Sequence, residues 1–364
     1  VSDGRQDAGG GKPDRSGIRD ALVAAALFGA SAPLAKGLLA EVAPQTLAGL
    51  LYLGSGLGLG AWWWARRGRA REAPLAPADF PWLGLAILFG GLLGPFLLMA
   101  GLAQMPASGA ALLLNLEAVA TAILAWVVFG ENVDRRIALG MLAIVAGGAL
   151  LSWEGHASWG GALGPLLVAA ACLCWGIDNN VTLKVSAGDP VQIAALKGIA
   201  AGAVNLGLGL WRAGEAPAAA PVAAALALGL ASYGVSLVLY VRALRRLGAA
   251  RTGAYFSTAP FLGTAIALLL WREPVTPLFA LAAFLMGFGL WLHLSERHEH
   301  RHVHEELVHA HLHVHDEHHR HEHGPDDPPG EPHAHAHHHE PLEHGHPHYP
   351  DIHHRHRHGR GRRR

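Results

Sequence analysis

The sequence predicts an all-α polytopic membrane protein, with ten transmembrane helices arranged as two inverted-topology five-helix repeats. Apolar runs of roughly 18 to 25 residues recur ten times between charged or proline-containing breaks, and a helix of that length crosses about 30 Å of hydrocarbon. A long stretch of the second half repeats one of the first half without a gap. Lysine and arginine crowd alternate loops.

Half of the 364 residues are hydrophobic and 15% are charged, but the mean hydropathy of +0.25 averages two unlike regions. Up to residue 294 the chain has the composition of a membrane protein. From Ser295 onward it is polar and holds all of the 26 histidines except His156 and His293, with no apolar run able to build a core. A net charge of zero therefore says nothing about partners, and nothing in the chain points to nucleic acid. Cys172 and Cys174 lie too close together in an apolar run for an ordinary disulfide, and read as small packing residues.

The ten runs fall at residues 20–39, 45–64, 80–104, 107–129, 136–153, 162–184, 190–211, 221–240, 249–271 and 276–294. The first has the look of a signal peptide, since Arg19 precedes an apolar stretch that reaches Ala30-Ser31-Ala32. Cleavage is rejected because the internal repeat requires this helix. Residues 1–17 are expected to be a disordered cytoplasmic N-terminus, 18–153 the first repeat, 162–294 the second, and 295–364 a low-complexity cytoplasmic tail.

Basic residues set the orientation. One side takes Arg5, Lys12, Arg15, Arg19, Arg66, Arg67, Arg69, Arg71, Arg135, Arg136, Lys184, Arg242, Arg245, Arg246 and Arg251, fifteen in all, and the other only Arg212 and Arg272. Both termini are thus expected in the cytoplasm of a multi-pass inner (plasma) membrane protein.

Residues 97–150 align with 239–292 at a shift of 142, matching Leu102 with Leu244, Ala107 with Ala249, Glu131 with Glu273 and Gly147 with Gly289. Apolar helices resemble one another by chance, so the paired acids weigh more than the leucines. Upstream, Phe28-Gly29 matches Trp175-Gly176, Lys36 matches Lys184 and Pro44 matches Pro190, at shifts of 147, 148 and 146. Five spans per copy is an odd number, so the second copy enters the membrane from the opposite side. The uncharged connection Gln104-Met105-Pro106-Ala107 and its arginine-rich counterpart around Arg242 to Arg251 agree with that inversion.

The chain resembles the drug/metabolite transporter superfamily, specifically the permeases with two EamA domains. The resemblance is carried by Phe28-Gly29, Trp175-Gly176, the run Ser257-Thr258-Ala259-Pro260-Phe261, and the endings Phe129-Gly130-Glu131 and Trp271-Arg272-Glu273. It covers residues 18–294 and implies a ten-helix secondary transporter or exporter of amino acids, sugars or other metabolites, with no ATP site. Ala118, opposite Pro260, and the tail depart from the pattern.

A charge in hydrocarbon costs at least ~2.5 kcal/mol, so polar residues within spans should face a cavity or a partner. Glu117 lies ten residues into its run, about 15 Å deep, and is the first candidate for a substrate or proton-coupling group; a structural carboxyl bonded to a neighbouring helix is the alternative. Asn115 stands about 200° around the helix from it, so one of the two should pack while the other lines the cavity. Asp178, Asn179 and Asn180 in succession argue for a locally distorted, cavity-lining segment, with Trp175 one turn before Asn179; interhelical hydrogen bonding is the alternative. Asp178 and Lys197 sit at matching depths on neighbouring spans and are expected to approach each other. Tyr255 and Thr258 share a face near a kink marked by Ser257 and Pro260, where hydroxyls also serve as backbone partners. Tyr233 and Tyr240 read as packing or an interface belt. Gly54, Gly56, Gly58 and Gly60 read as close helix packing rather than a phosphate loop, and Gly90, Gly91, Gly94 and Pro95 as a kinked part of the third span. No Walker sequence or GxSxG occurs in the chain, so an enzyme is a poor reading.

The tail repeats His-x-His and His-His. His309, His311, His313, His315, His318, His319, His333, His335, His337, His338 and His339 are diffuse candidates for zinc, nickel, cobalt or copper. Alternate spacing puts imidazoles on one face only in an extended chain. No cofactor is expected to be required.

Together these features predict a secondary transporter that exports a small organic metabolite by alternating access, with the lipid bilayer and a small-molecule substrate as partners and a homodimer as one option. Two other readings stand beside it: divalent transition-metal efflux with the tail as collector, and a non-transporting membrane metal sensor or scaffold. No span carries His-x-x-x-Asp, which weighs against the metal permease. Zinc titration of the isolated tail is expected to show several weak sites; a single stoichiometric, well-folded complex would contradict the diffuse assignment.

Overall fold

The structure is a computed structural model and describes residues 15–66, 75, 77–129, 135–153, 159–182, 184–185, 189–247 and 249–294, together with the backbone of four short tail segments. Among the described residues the helical pieces group into segments numbered in chain order. They are α1 (Arg15–Gly29 and Ser31–Leu38), α2 (Pro44–Arg66), α3 (Phe80–Ala86, Ile87–Leu93 and Gly94–Leu102), α4 (Ala107–Leu113 and Leu116–Phe129) and α5 (Arg135–Trp153). Then come α6 (Trp159–Thr182), α7 (Pro190–Ala213), α8 (Ala219–Gly229, Leu230–Val235 and Ser236–Leu247), α9 (Ala249–Phe256 and Ala259–Trp271) and α10 (Pro277–Leu294). Among the described residues, nine helices are long and apolar enough to cross a membrane. The tenth segment, α2, has 23 residues but dilutes its leucines with glycine and tryptophan. Arg15 to Gly17, expected in the disordered N-terminus, already belong to α1.

Leucine and methionine fill much of the interior, and several helix crossings are made through glycine. α2 lies along α7, and a side chain at Gly56 would run into the backbone of Gly198 and Ile199, while one at Gly54 would strike the carbonyl of Leu226 in α8. Backbones can approach this closely only where no Cβ intervenes, and dispersion between them replaces the hydrophobic drive that lipid removes. Gly29 likewise lets α1 cross α9 beside Ala259 and Gly263, and Gly176 lets α6 cross α4 beside Ala120 and Thr121. The Phe-Gly and Trp-Gly pairs of the sequence are therefore helix crossings. Cys172 and Cys174 are free and buried, as expected of packing residues.

Two local irregularities recur in both halves. Ile87–Leu93 in α3 and Leu230–Val235 in α8 are π-helical, at equivalent places under the shift of 142. α4 breaks at Leu114–Asn115 and α9 at Ser257–Thr258. At each break a side chain turns back on the carbonyl three residues earlier: Asn115 donates to Leu112 at 2.8 Å, and Ser257 to Ala254 at 2.8 Å. Ala118 stands where α9 has Pro260, yet α4 breaks regardless.

Four short segments of the tail are strands. Glu299–His304 pairs antiparallel with Leu342–Pro347, and Leu307–His313 with His333–His339, the latter register setting His309 opposite His337, His311 opposite His335 and His313 opposite His333. Alternation of histidine with small or apolar residues has the period of a strand, which suits such pairing. The side chains of these histidines, and the whole of His315, His318 and His319, lie outside the described residues, as does Glu131.

Overpacking a helix crossing costs about 1–3 kcal/mol. Gly56→Val is expected to lower the thermal midpoint measured in detergent by several degrees. On the facing helix, Gly207→Ala should leave it unchanged or raise it, since nothing lies within 4 Å of a Cβ added there.

Candidate substrate site

The end of α6 carries three polar residues in succession, and sequence alone suggests that it should be distorted. Instead α6 runs unbroken to Thr182, and the distortion lies opposite, in α3. α3 and α4 pack against α6 and Lys197 reaches it from α7, so the polar side chains find different partners. Asp178, buried, forms an ion pair with Lys197 of α7 and accepts from Thr182 Oγ1 at 3.0 Å. Asn179 donates to Glu117 Oε1 at 2.9 Å and to Thr121 Oγ1 at 3.1 Å, both in α4. Asn180 donates to the carbonyls of Gly176 at 2.8 Å and Thr121 at 3.2 Å.

A π-helical turn displaces the regular i→i−4 ladder and frees carbonyls, and within a membrane these must be satisfied by protein. Gly90 O accepts from the Tyr52 hydroxyl at 2.7 Å and from Trp175 Nε1 at 3.0 Å. Asn205 Nδ2 lies 3.3 Å from Gly91 O and 3.2 Å from Leu92 O. Gly90 also abuts the ion pair, since any side chain there would collide with the Asp178 carboxylate. Trp175, Tyr52 and the Asp178–Lys197 pair thus converge on one glycine.

Glu117 is half-buried in the first turn of the second piece of α4, within electrostatic reach of Asp178 and Lys197. Its position at a helix N-terminus suits a negative charge. Asn115, by contrast, is buried and bonded to its own helix, so the two side chains divide as their angular separation predicts. Beyond Tyr52 runs a chain of partly exposed rings from four helices. Tyr52 and Tyr233 have centroids 5.6 Å apart, Tyr233 and Phe28 5.9 Å, Phe28 and Phe256 5.4 Å, and Phe256 and Tyr240 4.9 Å.

At the kink of α9, Thr258 Oγ1 donates to Tyr255 O at 2.6 Å, so its hydroxyl serves the backbone as Ser257 does. Tyr255 is half-buried beside it. Tyr52, Thr121 and Asn205 were not singled out by sequence, although each is a polar side chain inside an apolar helix, which is itself the signal. Among the described residues no group of three or more His, Cys, Asp or Glu could hold a metal ion.

A bundle of membrane-crossing helices that keeps an ion pair, a carboxylate and amides bonded in its interior defines a polytopic helical membrane protein. The model of the EamA-like transporter family matches twice, over residues 15–153 and 162–295. The chain belongs to that family. It is 27% identical over 291 residues to an uncharacterized transporter of Methanothermobacter thermautotrophicus, covering 74% of this chain and 84% of that one. A solved crystal structure superposes with a TM-score of 0.56 at 20% identity, over 76% of this chain and 97% of the other, a likeness of fold.

Removing one partner of a buried ion pair leaves a lone charge at a cost of about 3–5 kcal/mol, more than removing both. Asp178→Asn and Lys197→Gln alone are each expected to lower stability and transport more than the double variant does. Strictly additive losses in the double-mutant cycle would mean that the two side chains do not act as a pair.

Proposed function

We propose that the protein is a secondary transporter that exports a small organic solute by alternating access. The observation that carries this reading is the meeting, at Tyr52, of a polar wall on α3, α4, α6 and α7 with an aromatic wall on α1, α8 and α9. Asp178 and Lys197 neutralise each other, so the Glu117 carboxyl is the acid left for a ligand, and an amine is its natural complement. Rings at 4.9–5.9 Å spacing offer flat apolar surface to the rest of such a solute. The substrate is thus an amphipathic metabolite with an amine at one end.

Ten spans in two inverted copies fit the same reading. The recurrence of the π segment and of the break under one shift supports a pair of equivalent halves, as does the reciprocal crossing of α1 on α9 and α6 on α4. Two such halves can exchange conformations about a shared site near the midplane. The distribution of basic loops favours an inner-membrane protein with cytoplasmic termini. Export is the direction that the family resemblance implies.

An untargeted comparison of solutes released by cells with the intact chain and with Glu117→Gln tests the proposal. At least a tenfold drop in release of an amine-bearing solute is expected, while a chain truncated after Ser295 should export normally. Wild-type release by Glu117→Gln would overturn the role of this carboxylate, and loss of release on truncation would return the tail to the mechanism.

A further inference from the structure

The end of the bundle opposite the start of α1 is tied together in a way that neither the family match nor the substrate site explains. There α3 ends at Leu102 and α4 begins at Ala107, leaving the last carbonyls of one helix and the first N–H groups of the other without helical partners. The connection between them is uncharged. Its caps come from other helices. Lys36 of α1 donates to Leu102 O at 2.6 Å, Met105 O at 3.0 Å and Ala103 O at 3.4 Å. Glu273, two residues beyond α9, accepts from the N–H of Ala107 at 2.7 Å through Oε1 and of Ser108 at 2.9 Å through Oε2. Cation at a C-terminus and anion at an N-terminus are the favourable placements on both helix dipoles, and the two charges also attract each other.

The two caps differ in where they come from. Lys36 belongs to the same copy as the connection it caps, but Glu273 belongs to the other copy. Trp271, beside it, also reaches across copies, donating through Nε1 to Pro33 O at 3.0 Å while its ring lies 3.4 Å from where a Cβ on Gly37 would stand. The Lys36 cap lies within one copy, so a movement that separates the copies at this end breaks the cap made by Glu273. A charge-assisted bond to two backbone N–H groups is strong enough to matter and, with two oxygens on one flexible stem, easy to reform.

We propose that Glu273 is a positioning residue for transport, a releasable latch that holds this end of the bundle shut by capping α4 from the opposite copy. The inference rests on the alternating-access reading of the preceding subsection. It gives Glu273 a task beyond stability, since releasing the cap should shift which end of the bundle is open.

Cysteine accessibility tests this in the full-length chain with Cys172 and Cys174 replaced by alanine. Ser108→Cys reports on the latched end, where Ser108 is 3% exposed, and Tyr255→Cys reports towards the other. Glu273→Gln is expected to raise labelling of Ser108→Cys by a membrane-impermeant maleimide at least fivefold and to lower labelling of Tyr255→Cys. Maximal transport rate should fall while the thermal midpoint stays within a few degrees. Glu273→Asp, which keeps the charge on a shorter stem, should fall between the two, and serves as the reading if Glu273→Gln does not accumulate. Unchanged labelling of Ser108→Cys overturns the latch, whatever happens to transport. A rise there without a fall at Tyr255→Cys upholds the latch and overturns alternating access, so the two failures are distinguishable.

Discussion

Backbone carbonyls set free inside a membrane have to be capped by the protein itself, and much of this structure follows from that requirement at one turn of α3. The π-helical segment Ile87–Leu93 exposes carbonyls at Gly90, Gly91 and Leu92, and three side chains from three helices come to them. Leaving such a group bare in hydrocarbon costs several kcal/mol, comparable with much of a protein's net stability. The caps therefore fix α2, α6 and α7 around α3 as firmly as apolar packing does. They also bring Asp178 and Lys197 against Gly90, where the absence of a side chain leaves room for the pair. Scaffold and site share the same few residues.

This arrangement explains why the interior tolerates so much polarity. Asp178 and Lys197 cancel, Asn179 and Asn180 are occupied by α4 and by α6 itself, and Glu117 is held by Asn179. Each group is bonded, yet Glu117, Asn179 and the rings beyond Tyr52 keep part of their surface open. A site of this kind can exchange an internal partner for a ligand without passing through a state in which a charge stands alone.

Much of the fold was legible in the sequence, because hydropathy and chain direction leave little freedom in a bilayer. Counting residues from the helix ends was enough to pair Asp178 with Lys197, and angular spacing was enough to separate Glu117 from Asn115. The location of the distortion was not legible. Three consecutive polar residues point to α6, but whether they strain their own helix depends on how many neighbours surround it, and that is a property of packing. The Lys36 and Glu273 caps were hidden for a related reason. In the sequence Glu273 stands out as the repeat counterpart of Glu131 and as the end of a family motif, and nothing local reveals that its target lies 166 residues earlier in the chain. Tyr52 and Asn205 could have been found by asking what an isolated polar side chain in an apolar helix is for.

The two π-helical segments carry a historical consequence. A π turn accommodates one extra residue within a helix, and insertion of a residue is the simplest way to make one. Ile87–Leu93 and Leu230–Val235 occupy equivalent positions in the two family repeats. Two independent insertions at the same place would be a coincidence, whereas a single insertion copied by duplication requires none. A bulge shared in this way is most simply one that preceded the doubling of the repeat. Since that time the copies have put it to different uses: the first surrounds its bulge with charge and amides, while the second sets Tyr233 there among rings.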